Sequence, residues 1–245
     1  MTIASLAMYP YLPLRPAQTQ LWDAVRSRLS FSAPDLDWDL DPLEASRRQD
    51  LLLGQTCGWP LVTELATTAR VVGTFDGDVE GAADGTYCSV LVSGTGDSLS
   101  DIVRRRDLVV AANSTDSLSG WISLRAVTAR HGVQLDTVTW TGAHAVSVEA
   151  VRRGEAHLAA IDAVSWELLD QTGLSVVGHG PRVPCLPLVT SGSTSDAVLG
   201  ELRSALAEAV HDPAMAEARR TLRIRDFLER DLADYEAALE LAELW

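Results

Sequence analysis

Short apolar runs alternate with amphipathic segments through the middle of the chain, and this alternation is typical of strands that lead into helices. The predicted strands cover residues 108–112, 137–140 and 158–161, and the predicted helices cover residues 120–131, 144–153 and 163–169. Strands that are connected by helices form mainly parallel sheets whose faces those helices cover. The pattern therefore predicts an α/β fold.

The flanking parts of the chain carry a second set of elements. Strands are predicted over residues 3–8, 36–40, 51–53, 70–75, 87–92 and 186–190, and helices over 16–29, 60–67 and a C-terminal tail, 195–244. Two α/β runs in one chain predict two lobes with two mostly parallel sheets, joined by two hinge strands. We assign residues 1–91 and 187–245 to the first lobe and residues 92–186 to the second.

Small polar residues follow the predicted strands of the second lobe. Asn113, Ser117 and Ser119 come after the first of these strands, His144 opens the next helix, and Asp162 follows the third strand. The carboxyl ends of parallel strands meet at one edge of a sheet, where the first N–H groups of each helix lack partners and the helix dipole favours an anion. We expect these side chains to line one side of a ligand-binding cleft.

Composition narrows the class of protein. A net charge of −14 argues against non-specific binding to nucleic acid, which needs a basic surface. All 20 basic residues are arginine, which excludes Schiff-base chemistry and the lysine of a Walker-type phosphate loop. The three cysteines show neither metal-ligand spacing nor a CxxC pair, and we expect no metal site and no cofactor.

The sequence also indicates where in the cell the protein could be located. No apolar stretch reaches the roughly 20 residues that span a bilayer, so we expect no insertion into a membrane. The N-terminal segment lacks the basic and long apolar regions of a signal peptide and is predicted as a first strand. We expect a cytoplasmic protein if Met1 is the native start, and a periplasmic or cell-surface protein if a leader has been removed.

Six segments stand in an order and spacing that carry a family resemblance. They are residues 9–11 (YPY), 53–58 (LGQTCG), 87–90 (YCSV), 117–120 (SLSG), 141–144 (TGAH) and 160–163 (AIDA). Together they resemble the phosphate, phosphite and phosphonate substrate-binding proteins of ABC transporters, which have the type 2 periplasmic-binding-protein fold. The resemblance implies a two-lobed protein without catalytic residues that closes on a small oxyanion, for an ABC permease or as a sensor.

The resemblance also implies roles for individual residues. Ser117 and Ser119 match the hydroxyl donors of a Ser-Thr-Ser-Gly turn, whereas Leu118 replaces the threonine and offers only its backbone N–H. His144 matches an imidazole donor, and Asp162 matches an acceptor for a protonated ligand oxygen or an ammonium group. The predicted ligand set is Tyr9, Gln55, Thr56, Asn113, Ser117, Leu118, Ser119, His144 and Asp162.

Other interpretations stay open at this point. Ser117, Ser119 and Asp162 stand where side chains ordinarily cap helices, so each can serve the fold alone. A cytoplasmic enzyme on the same scaffold, of the type that makes menaquinone or thiamine precursors, would use Cys57 at a helix start and His144 as its reactive pair. An interaction module would instead use the acidic helical tail.

Overall fold

The computed structural model describes residues 2–241 and divides them into two compact units. The first unit contains residues 2–78, 82–86 and 184–236, and the second contains residues 79–81, 87–183 and 237–241. The main passages of the chain between the units lie between Thr86 and Tyr87 and between Val183 and Pro184. Within residues 2–241, no helix has both the length and the apolar character that a membrane span requires.

Strands and helices are mixed along the described chain. Its strands are β1 (Ile3–Ser5), β2 (Leu51–Gln55), β3 (Ala69–Gly77), β4 (Thr86–Ser93), β5 (Val110–Ala112), β6 (Val138–Trp140), β7 (Leu158–Ile161), β8 (Ser175–Pro184), β9 (Pro187–Ser191) and β10 (Ile224–Leu228). Its helices are α1 (Arg15–Arg26), α2 (Pro42–Ser46), α3 (Gly58–Thr63), α4 (Leu99–Val103), α5 (Ser123–Arg130), α6 (His144–Arg152), α7 (Ala163–Leu168), α8 (Asp196–His211), α9 (Ala216–Leu222) and α10 (Ala233–Glu240). The α/β class is therefore confirmed.

The sheet of the second unit has the strand order β6-β5-β7-β4-β8. Strand β5 runs parallel to both β6 and β7, whereas β4 pairs with β7 in the antiparallel direction. A buried cluster that includes Leu91, Val110, Leu124 and Leu158 joins these strands to α5. The parallel pairing that strand–helix alternation predicts is thus confirmed for the three strands β5, β6 and β7.

The sheet of the first unit has the order β1-β2-β9-β3-β10 and corrects one part of the prediction. Only β1 and β2 pair in parallel, while β9 is antiparallel to both β2 and β3, and β10 is antiparallel to β3. The prediction of a mostly parallel first sheet was wrong. Strands β9 and β10 arrive from a distant part of the chain, so no crossover helix constrains their direction.

The predicted strand at residues 36–40 is wrong except for one isolated bridge between Leu36 and Ala4. Directly after this bridge, the Asp37 carboxylate accepts hydrogen bonds from the N–H groups of Asp39 and Leu40 at 2.9 and 3.0 Å. An aspartate that bonds to the backbone two and three residues ahead turns the chain. The local turn therefore ends a segment whose alternating pattern is typical of a strand.

The predicted helical tail, residues 195–244, is interrupted by β10, and its residues 242–244 lie outside the described part of the chain. Helix α9 ends at Leu222, and the next residue, Arg223, has a left-handed backbone with φ of 56°. The following strand packs Phe227 edge-on against Phe75 of β3, with ring centroids 6.3 Å apart. Gly73 leaves the space for this contact, because a Cβ there would lie 2.6 Å from the Phe227 ring.

Besides β10, two helices and one strand were not predicted from the sequence. Helices α2 and α4 are five residues each, too short to show a helical period. Their caps were the available signal: Asp41 accepts from the N–H groups of Leu43 and Glu44, and Ser98 accepts from that of Asp101. The third element, β8, contains two glycines and two prolines, which depress the strand signal.

Candidate functional site

The candidate site lies at the carboxyl ends of three adjacent strands in the second unit. Strands β5, β6 and β7 run parallel, with β5 in the middle, so their carboxyl ends share one edge of the sheet. The chain moves from β5 to β6 on one side and then to β7 on the other, which makes β5 a topological switch point. Right-handed connections place the intervening helices on opposite faces, and ligands of open α/β sheets bind at such a point.

The turn after β5 presents the start of a helix at this edge. The Ser117 Oγ accepts a hydrogen bond from Gly120 N at 3.0 Å, and the Ser117 carbonyl oxygen accepts from the N–H groups of Trp121 and Ile122, both at 3.0 Å. The bond from Ile122 spans five residues, so Leu118–Ile122 forms a π-helical turn before α5 continues. Turns of this kind are rare and recur at functional sites. Helix starts of this sort direct N–H groups toward an anion.

Ser119 and His144 meet where the two helices begin. The Ser119 Oγ lies 3.1 Å from His144 Nε2, and the ring nitrogen that carries the proton decides which of the two donates. Ser119 is buried, and His144, the first residue of α6, is partly buried. The Nδ1 atom of His144 is enclosed and makes no hydrogen bond of ordinary geometry to the described residues. The contact joins two residues that are 25 positions apart.

Burial lowers the pKa of His144 below its ordinary value. The Asp162 carboxylate and the backbone of Ala160 act in the opposite direction, but the loss of hydration outweighs them. The ring is therefore neutral at pH 7 and carries one N–H donor and one acceptor nitrogen. A neutral ring also avoids the repulsion that a cation experiences at the positive end of a helix dipole.

The turns after β5 and β6 are tied to each other by their backbones. Thr141 donates from N and from Oγ1 to the Ala112 carbonyl oxygen at 3.0 and 3.1 Å, and Gly142 N donates to the Asn113 carbonyl oxygen at 2.9 Å. The Asn113 Oδ1 fills the space that a Cβ on Gly120 would need. No role was predicted for Gly120 or Thr141 from the sequence. Both residues belong to segments that carry the family resemblance, SLSG and TGAH, and this position could have marked them as part of the site.

Asp162 caps the helix after β7. Its carboxylate accepts a hydrogen bond from Ser165 N at 2.8 Å, and the residue is 2% exposed. Ser117 is likewise a cap, so the structure shows the capping role for both residues. Capping uses one lone pair of each oxygen and leaves further capacity for a ligand. Among residues 2–241, no group of His, Cys, Asp and Glu side chains is arranged to hold a metal ion.

The remaining predicted ligand residues lie in the first unit, apart from Leu118, which is buried in the π-helical turn. Gln55 is the last residue of β2 and is paired with Leu188, and the N–H of Thr56 donates to the Pro187 carbonyl oxygen at 3.1 Å. Both side chains are buried, whereas Tyr9 is partly buried. The contact of Tyr9, Gln55 and Thr56 with a ligand stays a prediction.

The lowered pKa of His144 predicts a pH-dependent stability. The unfolded chain protonates this ring near its ordinary pKa of about 6.5, while the folded protein holds it neutral to lower pH. The unfolded state therefore binds more protons in this window, and stability falls as the pH drops below about 6.5. We expect His144→Gln to reduce the fall in unfolding temperature between about pH 7.5 and about pH 5.5, whereas His179→Gln, at an exposed position, leaves it unchanged. Equal falls in all three proteins would contradict this assignment.

The chain shares its fold with several solved structures. The chain is similar to PhnD1 from Prochlorococcus marinus in complex with methylphosphonate (TM-score 0.80, 15% identity, 99% of this chain and 97% of that chain). It is also similar to XAC2383 from Xanthomonas citri bound to ATP (TM-score 0.71, 16% identity, 100% of this chain and 96% of that chain). A third match is the binding-protein component of an ABC phosphonate transporter from Pseudomonas aeruginosa (TM-score 0.73, 18% identity, 99% of this chain and 85% of that chain). These likenesses show the type 2 periplasmic-binding-protein fold.

The family follows from the sequence match. The model of the family described as "ABC transporter, phosphonate, periplasmic substrate-binding protein" matches residues 47–235, well over half of the chain. The chain belongs to this family of solute-binding proteins. Such a protein takes a small solute as its ligand and an ABC permease as its partner, and the family is not one of enzymes. No curated protein sequence matches the chain.

Proposed function

We propose that the second unit binds a tetrahedral oxyanion of the phosphate, phosphite or phosphonate class at the carboxyl ends of β5, β6 and β7. The observation that carries the proposal is the contact of Ser119 with His144, which brings two helix starts and two polar side chains to one point. Methylphosphonate is the ligand of PhnD1 from Prochlorococcus marinus, which has the same fold. That ligand class supports the proposal for this chain.

The proposed donors are electrically neutral. They are the hydroxyls of Ser117 and Ser119 and the N–H groups at the start of the π-helical turn. In this arrangement the His144 imidazole donates from Nε2 to Ser119 Oγ, which leaves the Ser119 hydrogen for the ligand. Helix starts bind phosphate-like anions through such N–H groups without a cationic side chain. Asp162 would accept from the protonated oxygen of the ligand, which favours a monoanion over a fully ionised one.

The proposal extends to the first unit through Tyr9, Gln55 and Thr56, which the family resemblance assigns to the ligand. The chain passages at Thr86–Tyr87 and Val183–Pro184 are the proposed hinges of a closing motion. We expect Gln55→Ala to weaken ligand binding without a change in the fold of the second unit. An affinity equal to that of the unaltered protein would remove Gln55 from the ligand set.

A thermal-shift screen tests the proposed function. We expect phosphate, phosphite or methylphosphonate to raise the unfolding temperature, because a ligand at about 100 times its Kd adds about 2.7 kcal/mol to the stability. Malate and adipate, the ligands of two carboxylate-bound proteins of the same fold, serve as comparison anions. Stabilisation by the carboxylates alone, or by none of these anions, would overturn the assignment of a phosphorus oxyanion.

A further inference from the structure

Two buried serines connect the π-helical turn to strand β4. Ser123, the first residue of α5, donates from Oγ to the Leu118 carbonyl oxygen at 2.8 Å, and Ser89 of β4 donates from Oγ to Ser123 Oγ at 3.2 Å. Both serines are 0% exposed. A hydroxyl can donate only one hydrogen bond. Ser123 therefore donates to the Leu118 carbonyl oxygen and accepts the hydrogen bond from Ser89 on a lone pair. The chain of bonds thus runs in one direction, from β4 to the turn.

These bonds stabilise the unusual geometry of the turn. The Leu118 carbonyl oxygen accepts twice from Ser123, once from its N–H and once from its hydroxyl. In a regular α-helix this carbonyl would instead accept from the N–H four residues ahead, which belongs to Ile122. Here the N–H of Ile122 donates to the Ser117 carbonyl oxygen. The Ser123 hydroxyl therefore favours the π form over the α form, which would rotate the start of the helix.

Strand β8 packs directly against Ser89 and Ser123. A Cβ on Gly180 would lie 3.2 Å from Ser123 Cβ and 3.3 Å from Ser89 Cβ, so only glycine allows this close approach without a shift of its neighbours. The chain enters the second unit at the start of β4 and leaves it at the end of β8. Ser89, Ser123 and Gly180 thus form one contact between the connecting strands and the turn.

We propose that Ser123, supported by Ser89, is a positioning residue for the oxyanion. It holds the π-helical turn in the register that directs Ser117 and Ser119 to the ligand, and it links that turn to the strands that lead to the first unit. This inference rests on the proposed function. A shift of the turn toward α geometry would move the hydroxyl and N–H donors together, so the affinity would fall although no ligand contact is removed.

Ser123→Ala and a matched variant, Ser46→Ala, test the positioning role. Ser46 is 1% exposed and donates to the Pro42 carbonyl oxygen at 2.8 Å within a helix of the first unit. Each variant loses one buried hydroxyl bond to a backbone carbonyl, so we expect similar losses of stability. We expect Ser123→Ala to weaken methylphosphonate or phosphate binding about tenfold in titration calorimetry at a temperature where all variants are folded. Ser46→Ala should bind as the unaltered protein does.

Hydrogen exchange without ligand gives a second measurement. We expect the amides of residues 119–122 to exchange faster in Ser123→Ala and in Ser89→Ala, but not in Ser46→Ala. Unchanged exchange at these amides together with unchanged affinity would overturn the positioning role. Ser119→Ala separates the proposed oxyanion site from the positioning role of Ser123. If Ser119→Ala and Ser123→Ala both bind the anion normally, the proposed site fails. If only Ser119→Ala loses binding, the role of Ser123 alone fails. A protein that binds none of the anions still tests the positioning role through exchange.

Discussion

The Gly120→Ala variant is expected to lose about 3 kcal/mol of stability and most of its affinity for phosphate or methylphosphonate. The added Cβ would take the space of Asn113 Oδ1 and lie 3.0 Å from Ser117 Oγ. The Asn113 backbone is fixed by the hydrogen bond from Gly142 N to its carbonyl oxygen at 2.9 Å, so relief requires either a rotation of the Asn113 side chain, whose Oδ1 is buried, or a movement of the turn. The substitution therefore displaces either Asn113 or the π-helical turn, and both carry predicted ligand residues.

Gly200→Ala is the matched control for this variant. Gly200 lies inside α8 and is exposed, and a Cβ there would meet no atom within 4 Å apart from its chain neighbours and the backbone of its own helix. Alanine there should stabilise the protein by about 0.5–1 kcal/mol through helix propensity. Urea denaturation followed by tryptophan fluorescence compares the variants. A Gly120→Ala protein that unfolds at the same urea concentration as the unaltered protein would show that Asn113 does not restrict this position.

Ser119→Ala and His144→Gln are each expected to weaken oxyanion binding by about tenfold to about a hundredfold, since a hydrogen bond to a charged group contributes about 1.5–3 kcal/mol. The double variant should lose less than the product of the single losses. The two side chains contact each other at 3.1 Å, so removal of one already leaves the other without its orienting partner.

The unaltered protein, the two single variants and the double variant form a double-mutant cycle. Titration calorimetry of these four proteins with phosphate and methylphosphonate measures the coupling between Ser119 and His144 in ligand binding. His179→Gln provides a histidine control at an exposed position of β8, where we expect no change in affinity. Additive losses in the cycle would mean that Ser119 and His144 act independently on the ligand. Unchanged binding in both single variants would contradict the proposed site altogether.

Local sequence was sufficient for the elements that surround the site. Strand β7 is found at the predicted residues, Leu158–Ile161, because four buried apolar residues end at a capping aspartate. Helix α6 begins at His144, as predicted. Because strand–helix alternation implies parallel pairing, the placement of Asn113, His144 and Asp162 at one sheet edge followed from sequence.

The features that could not be predicted depend on contacts between distant residues. The antiparallel pairing of β9 with β2 joins residues more than 130 positions apart, and no local pattern specifies it. The π-helical turn is stabilised by Ser89, which lies on another strand, so the sequence around Leu118 reads as an ordinary helix start. The assignment of Tyr9, Gln55 and Thr56 rests on the resemblance alone.

The strand order of the first sheet has a consequence for synthesis on the ribosome. That sheet needs β9 and β10, so it cannot be completed until the chain has been made beyond Leu228. The second unit is nearly continuous, from Tyr87 to Val183, and its central strands pair over short sequence distances. Domains that are contiguous in sequence fold as units while the chain emerges. The nascent protein should therefore complete the second unit, which carries the candidate site, first. Strands β2 and β3 then lack their partners β9 and β10 until the chain has been made beyond Leu228.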